Sequence, residues 1–314
     1  MSFSITMLSN EPVAIFFNNF WNGFIEKTDS MDCTFFITLF EKVFNSPICI
    51  ASSLDEATVL VESIFGENTY LYHKKWRATF LFSGETHYCN SPHVSNFDCV
   101  LGVEETHDRF VKCPLYLLFL QSNPHILEQL KPVTEQKTPP PTTASVVITT
   151  IHGNERLRFV DSLEKHMPLF YGGRYKNNVG GIVAGHFNSP EINQFYQRGK
   201  FAITMENSYR PYYITEKLVN GLRSGVIPVY WGTSRVSEFF NPKRFLHLKP
   251  GATEEDISEI IERMKSMTDE EYLRIIREPI MVRSMDDVIN EIAESIKKRL
   301  TLLTFNVVYV PLSD

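Results

Sequence analysis

FAITMENSYRPYYITEKLVNGLRSGVIPVYWGTSRVSEFFNPKRF, residues Phe201 to Phe245, reads as strand, helix and strand. Phe201 to Met205 is a short apolar run with polar residues on both sides, the pattern of a strand buried on both faces. Val226-Ile227-Pro228-Val229-Tyr230-Trp231 is a second such run. Pro228 cannot donate to a ladder, so it must lie near the strand start or at an edge. Between the runs Leu218, Val219 and Leu222 recur at helical spacing, Thr215 is placed to cap the helix start, and Gly225 to close its end. A unit of this length implies a parallel crossover.

Ligands of parallel sheets bind outside the carboxyl ends of the strands. The loop from Glu206 to Ile214 and the helix start lie at that edge, where unpaired N–H groups and the helix dipole favour an anion. Lys217, in the first helical turn, opposes the dipole unless a negative group such as phosphate sits nearby. The alternative is a lysine that points into solvent.

The chain has 314 residues, enough for two domains, with 43% hydrophobic and 13% aromatic residues. A net charge of −6 gives no reason to expect nucleic acid or an acidic membrane surface as partner. No stretch approaches the roughly 20 apolar residues of a membrane span. The opening MSFSITMLSNEP has no basic, apolar signal-peptide pattern. Cys33, Cys49, Cys89, Cys99 and Cys113 are odd in number and contain no C-x-x-C, which favours buried reduced thiols.

Lys131-Pro132 through Ser145, centred on Pro139-Pro140-Pro141, reads as a stiff extended connector. It divides an N-terminal half, 1–131, from a C-terminal half, 146–314, with residues 132–145 as linker. Expected strands are Val13 to Phe17, Ile48 to Ala51, Thr79 to Phe82 and Val146 to Thr150. Expected helices are Thr34 to Phe44, Glu155 to His166 facing inward by Leu157, Val160 and Leu163, a stripe of Ile257, Ile260, Ile261 and Met264, and Met285 to Leu300. Two α/β halves around a linker suggest two Rossmann-like domains facing a cleft.

Several elements of the opening window recur together in one known family. Glu206-Asn207-Ser208, Tyr213-Ile214-Thr215-Glu216-Lys217, Val226 to Gly232 and Asn241-Pro242 resemble, in order and spacing, the α-1,3-fucosyltransferases of glycosyltransferase family ten. The opening aromatic of the first element is replaced, or shifted to Phe201. Asn154 to Phe159, Gly172 to Gly180, Phe82-Ser83-Gly84-Glu85, Phe97-Asp98 to Gly102, Arg109 and Pro114-Leu115-Tyr116 extend the likeness across about residues 80–250, while the first 70 residues match only loosely.

The resemblance implies a GT-B-like α/β fold of two Rossmann-type domains, in which the final helix crosses back to the first domain. It implies inverting transfer of L-fucose from GDP-fucose to a hydroxyl of an N-acetylglucosamine-type glycan, with no cofactor and no divalent metal required. Glu85 stands at the family's base position. Arg156 and Lys217 stand at its diphosphate clamp, with Arg158 close enough to leave the arginine ambiguous. Glu216, Asn207 and Tyr213 stand in the donor pocket, and Glu216 is placed to hydrogen-bond sugar hydroxyls or to stabilise developing positive charge.

Each of these residues has a plainer reading: Glu85 an exposed loop carboxylate, Arg156 a solvated helix residue, Glu216 a dipole partner, Asn207 a turn former and Tyr213 a core aromatic. Family members of the animal and plant Golgi are typically membrane-anchored and carry disulfides in the catalytic half, where this chain has no cysteine. A soluble, cytoplasmic chain of microbial or viral type is therefore expected. His87, Cys89 and His93 match no ordinary zinc spacing, D-x-D is absent, and Gly172-Gly173 and Gly180-Gly181 form no dinucleotide fingerprint. A related transferase using another GDP-sugar and a catalytically silent carbohydrate-binding protein of the same fold are the competing functions. Acceptor choice falls to the N-terminal loops, including Phe20 to Phe24.

Overall fold

The computed structural model describes residues 12–86, 94–104, 108–134 and 138–308, with side chains to residue 303. His87, Cys89 and His93 lie outside the described residues. The chain forms two compact units, one of residues 1–122 and 284–314 and one of residues 123–283.

The first unit contains β1 (Val13–Asn18), α1 (Thr34–Phe44), β2 (Ile48–Ile50), β3 (Val59–Ser63), β4 (Ala78–Ser83), β5 (Cys99–Gly102), β6 (Phe110–Lys112) and α2 (Tyr116–Ser122). The second contains α3 (Pro124–Gln129), β7 (Ala144–Val146), α4 (Asn154–Leu163), β8 (Leu169–Tyr171), α5 (Pro190–Tyr196), β9 (Phe201–Ile203), α6 (Glu216–Arg223), β10 (Ile227–Trp231), β11 (Leu246–Leu248), α7 (Glu254–Lys265) and α8 (Asp269–Ile276). α9 (Met285–Val308) returns to the first unit, where Lys42 of α1 meets Asp286 at 2.7 Å.

Both sheets are parallel throughout their named strands. Their orders are β2-β1-β3-β4-β5-β6 and β11-β10-β9-β7-β8. Counted from the first strand of each unit, both follow the doubly wound order 2-1-3-4-5, with a switch point where the chain reverses direction across the sheet. That point lies between β1 and β3 in the first unit and between β7 and β9 in the second.

Strands covered on both faces need continuous apolar sequence, and β3, β4, β5, β9 and β10 are buried at every position. Pro228 is the second residue of β10. The pairing to β11 begins only at Val229, so no ladder bond is missing on that side. α6 starts at Thr215, whose hydroxyl accepts from the Lys217 N–H, and ends before Gly225 at φ 71°. α4 runs inward through Arg156, Phe159, Val160 and Leu163, whereas Leu157, expected on that face, is only half-buried.

The proline-rich segment departs from a free connector. Its Val133 N–H bonds Ile276 O, Pro141 O accepts from Lys200 N–H, and β7 already begins at Ala144. Proline stiffness is used here to lay the chain along the second unit. Cys33, Cys99 and Cys113 are buried thiols, Cys49 is an exposed one, and burial pushes Cys99 up to about 12. No described helix is long and apolar enough to cross a membrane.

Candidate active site

At the switch point of the second unit, two helix starts lie side by side. α4 follows β7 and α6 follows β9, and these strands are paired in parallel. The loop after β7 comes close to the loop after β9. Gly153, at φ 92°, would bring a Cβ to 2.9 Å from Asn207 O, so only glycine permits this approach.

Glu206, the residue Lys217 is built around, is fully buried directly beyond β9, held there by its N–H bond to Trp231 O. Its carboxylate accepts from Thr215 N at 2.9 Å and Thr215 Oγ1 at 2.8 Å. Lys217 Nζ lies 3.3 Å from Glu206 Oε2, 3.4 Å from Glu216 Oε1 and 3.0 Å from Thr215 Oγ1. Lys217 is therefore neither free in solvent nor waiting for a ligand charge: two carboxylates already offset the dipole at this helix start. Burial opposes its charge, but Glu216 and Glu206 outweigh that and raise its pKa. Burial in turn raises the Glu206 carboxyl, against the pull of Lys217.

Arg156 completes the group. It is 4% exposed, and its Nη2 donates to Thr150 O at 2.8 Å and His152 O at 2.5 Å. Its Nε is buried without a partner among the described residues, a donor that a bound acceptor group would satisfy. Burial depresses the guanidinium and Glu206 and Tyr213 raise it, so Arg156 faces the same cluster. Arg158 points elsewhere, to Ala252 O and to Glu254 at 3.1 Å. Tyr213 OH donates to Asn207 Oδ1 at 3.1 Å.

Five of the six residues singled out from sequence thus gather at one edge: Arg156, Asn207, Tyr213, Glu216 and Lys217. Glu85 belongs to the first unit, half-buried in the turn after β4, with Ser83 Oγ donating to its carbonyl at 3.5 Å. Glu206 and Thr215 were legible only as a turn and a cap. Their signal was a carboxylate placed directly after an apolar run, with Thr-x-Lys nine residues on. Among the described residues no group of three or more His, Cys, Asp or Glu side chains could hold a metal ion.

Residues 136–278 match the family description "Glycosyltransferase family 10 (fucosyltransferase) C-term". This segment is similar to the C-terminal domain of family 10 glycosyltransferases. It includes every residue of the charged cluster. The chain is similar to an alpha-(1,3)-fucosyltransferase of Helicobacter pylori, 27% identical over 199 residues, covering 53% of this chain and 40% of the relative. A putative fucosyltransferase of Acanthamoeba polyphaga mimivirus is 32% identical over 133 residues, covering 40% and 22%. The matches thus span less than half the length of these curated relatives.

Among solved structures, an alpha1,3-fucosyltransferase crystallised with GDP superposes with a TM-score of 0.66 at 21% identity, over 95% of this chain and 94% of that one. The same kind of enzyme with GDP-fucose gives 0.62 at 20% identity, over 96% and 94%. This likeness bears out the expected GT-B class of two parallel-sheet α/β domains.

Proposed function

We propose that this protein is an inverting fucosyltransferase that moves L-fucose from GDP-fucose to a hydroxyl of an N-acetylglucosamine-type glycan. The observation that carries the reading is the meeting of Arg156 and Lys217 at two adjacent helix starts, beside Asn207, Tyr213 and Glu216. Two cations and two helix dipoles suit a diphosphate that gains negative charge as it leaves. Arg156 brings a planar fork with an unpartnered Nε, and Lys217 a point charge. Relatives and solved structures named for fucosyl transfer, one of them holding GDP-fucose, support the choice of donor.

In this reaction Glu85 takes the proton of the acceptor hydroxyl. The acceptor oxygen attacks the anomeric carbon from the face opposite the nucleotide, and the sugar–phosphate bond breaks with its electron pair going to GDP. Arg156 and Lys217 stabilise that charge, so the protein's own cations supply what the leaving group needs. Glu216 faces the positive charge developing on the sugar. Buried unpaired thiols fit a reducing cytoplasm.

Thermal-shift titration with GDP, UDP, GDP-fucose and GDP-mannose, followed by product analysis on a small acceptor panel, tests the reading. Stabilisation by GDP and GDP-fucose with fucosylated product is expected. Turnover of GDP-mannose alone would assign another GDP-sugar, GDP binding without any turnover would leave a silent binder, and stabilisation by UDP but not GDP would overturn the donor.

A further inference from the structure

An ammonium has three protons to give. Lys217 Nζ has three acceptors within the protein: Thr215 Oγ1 at 3.0 Å, Glu206 Oε2 at 3.3 Å and Glu216 Oε1 at 3.4 Å. A diphosphate can bind this lysine directly only by displacing one of them.

The three are not equivalent. Glu206 is fully buried and held by Thr215 N and Thr215 Oγ1. Thr215 is 1% exposed, and its single hydroxyl proton goes to Glu206 Oε2. Its lone pairs are thereby turned toward the Lys217 N–H, at 3.4 Å, and Lys217 Nζ. Freeing either residue would leave a buried polar group unpaired, which costs more than the bond itself contributes. Glu216 is different: its side chain is 18% exposed, so water can take over when its contact breaks.

We infer that Glu206 is a positioning residue that, through Thr215, grips Lys217 from behind, and that Glu216 occupies the third place until the donor diphosphate displaces it. The displaced carboxylate is then free for the sugar. The inference rests on the donor reading above and adds a division of labour between two glutamates on the same lysine.

The division gives opposite signs. If both glutamates acted only as negative charges, removing either would tighten binding of an anion. Under the positioning role, Glu206→Gln weakens GDP binding about tenfold, because the amide turns a donor toward Thr215 and Lys217. Glu216→Gln tightens it by about threefold, because the competing ion pair is gone. Thr215→Val changes no charge and is expected to weaken GDP binding by a factor of about five, with Thr215→Ser restoring it.

Calorimetric titration of full-length variants with GDP, and with inorganic pyrophosphate as a probe of the clamp alone, reads all four. Should Glu206→Gln fail to fold, the contrast of Thr215→Val with Glu216→Gln decides. Tighter binding in Glu206→Gln, unchanged binding in Thr215→Val, or weaker binding in Glu216→Gln overturns the inference while the donor reading stands. A wild-type protein that binds neither GDP nor pyrophosphate overturns both.

Discussion

The two units share one strand order and differ in what they place at the switch point. In the second unit, the loops after β7 and β9 bring Arg156, Lys217, Glu206 and Glu216 to two helix starts. In the first, the loops after β1 and β3 bring aromatic rings and amides. Phe20 stacks on Phe24 at 4.0 Å, Trp21 meets the exposed Phe65 edge-on at 5.6 Å, and Asn18 donates to the buried Glu62 at 3.0 Å. The scaffold therefore dictates where a ligand can sit, and the side chains beyond the strands decide which chemistry it has. Charged helix starts suit a nucleoside diphosphate. Rings and amides suit the apolar faces and hydroxyls of sugars.

The sharpest way to break this contrast is Glu85→Gln. Turnover is expected to fall by about 10²- to 10⁴-fold, the range for loss of a positioned base, while the GDP dissociation constant stays put. Near-normal turnover, or a large change in GDP affinity, would remove the first unit from proton transfer.

Arg156→Ala comes next, with GDP affinity falling by about one to two orders of magnitude for a lost charge-assisted contact. Arg158→Ala should leave it near wild type, since that side chain is committed to the start of α7. An effect confined to Arg158 would reverse the assignment.

A smaller effect is expected of Gly153→Ala, where a positive φ and the approach to Asn207 O together cost more than about 1 kcal/mol of stability. Thermal denaturation alongside GDP titration would show both losses; unaltered values would mean that the two loops are not held together by this contact.

The smallest concerns His247, whose Nε2 lies 3.2 Å from Gly232 O. Burial is the main cause holding its pKa below the ordinary 6.5, with Lys249 adding to it. The folded ring thus binds fewer protons than the unfolded one. Its contribution is complete above about pH 6.5 and is lost as pH falls through the depressed value. Stability of His247→Asn should depend less on pH below 6.5 in denaturant melts, and an unchanged acid slope would exclude this imidazole as a source.

Much of the fold was legible because buried parallel strands announce themselves as short apolar runs, as at Phe80, Phe201 and Val229. β3 was missed because Glu62 interrupts its run. That carboxylate is buried and satisfied by Asn18 Nδ2 at the end of β1 and by Thr69 Oγ1 and the Tyr70 N–H in the loop after β3, partners invisible to local pattern. The proline segment read as stiff and extended from its local composition, while the bond that Pro141 O accepts from the Lys200 N–H joins it to a residue far along the chain. The charged cluster was readable through Thr215-Glu216-Lys217. The burial of Glu206 behind it depends on strand pairing, which no linear spacing reveals.

α9 packs with residues that precede the entire second unit in the chain. During synthesis, every residue of 123–283 leaves the ribosome before the helix that covers α1 has been made. The second unit is thus expected to become protease-resistant first, as a contiguous segment. The first unit waits for α9, and the face of α1 that this helix covers stays open until then. A stop codon just after Arg283 would therefore spare the fold of the charged edge and damage the aromatic one, although the sequence removed lies far from both.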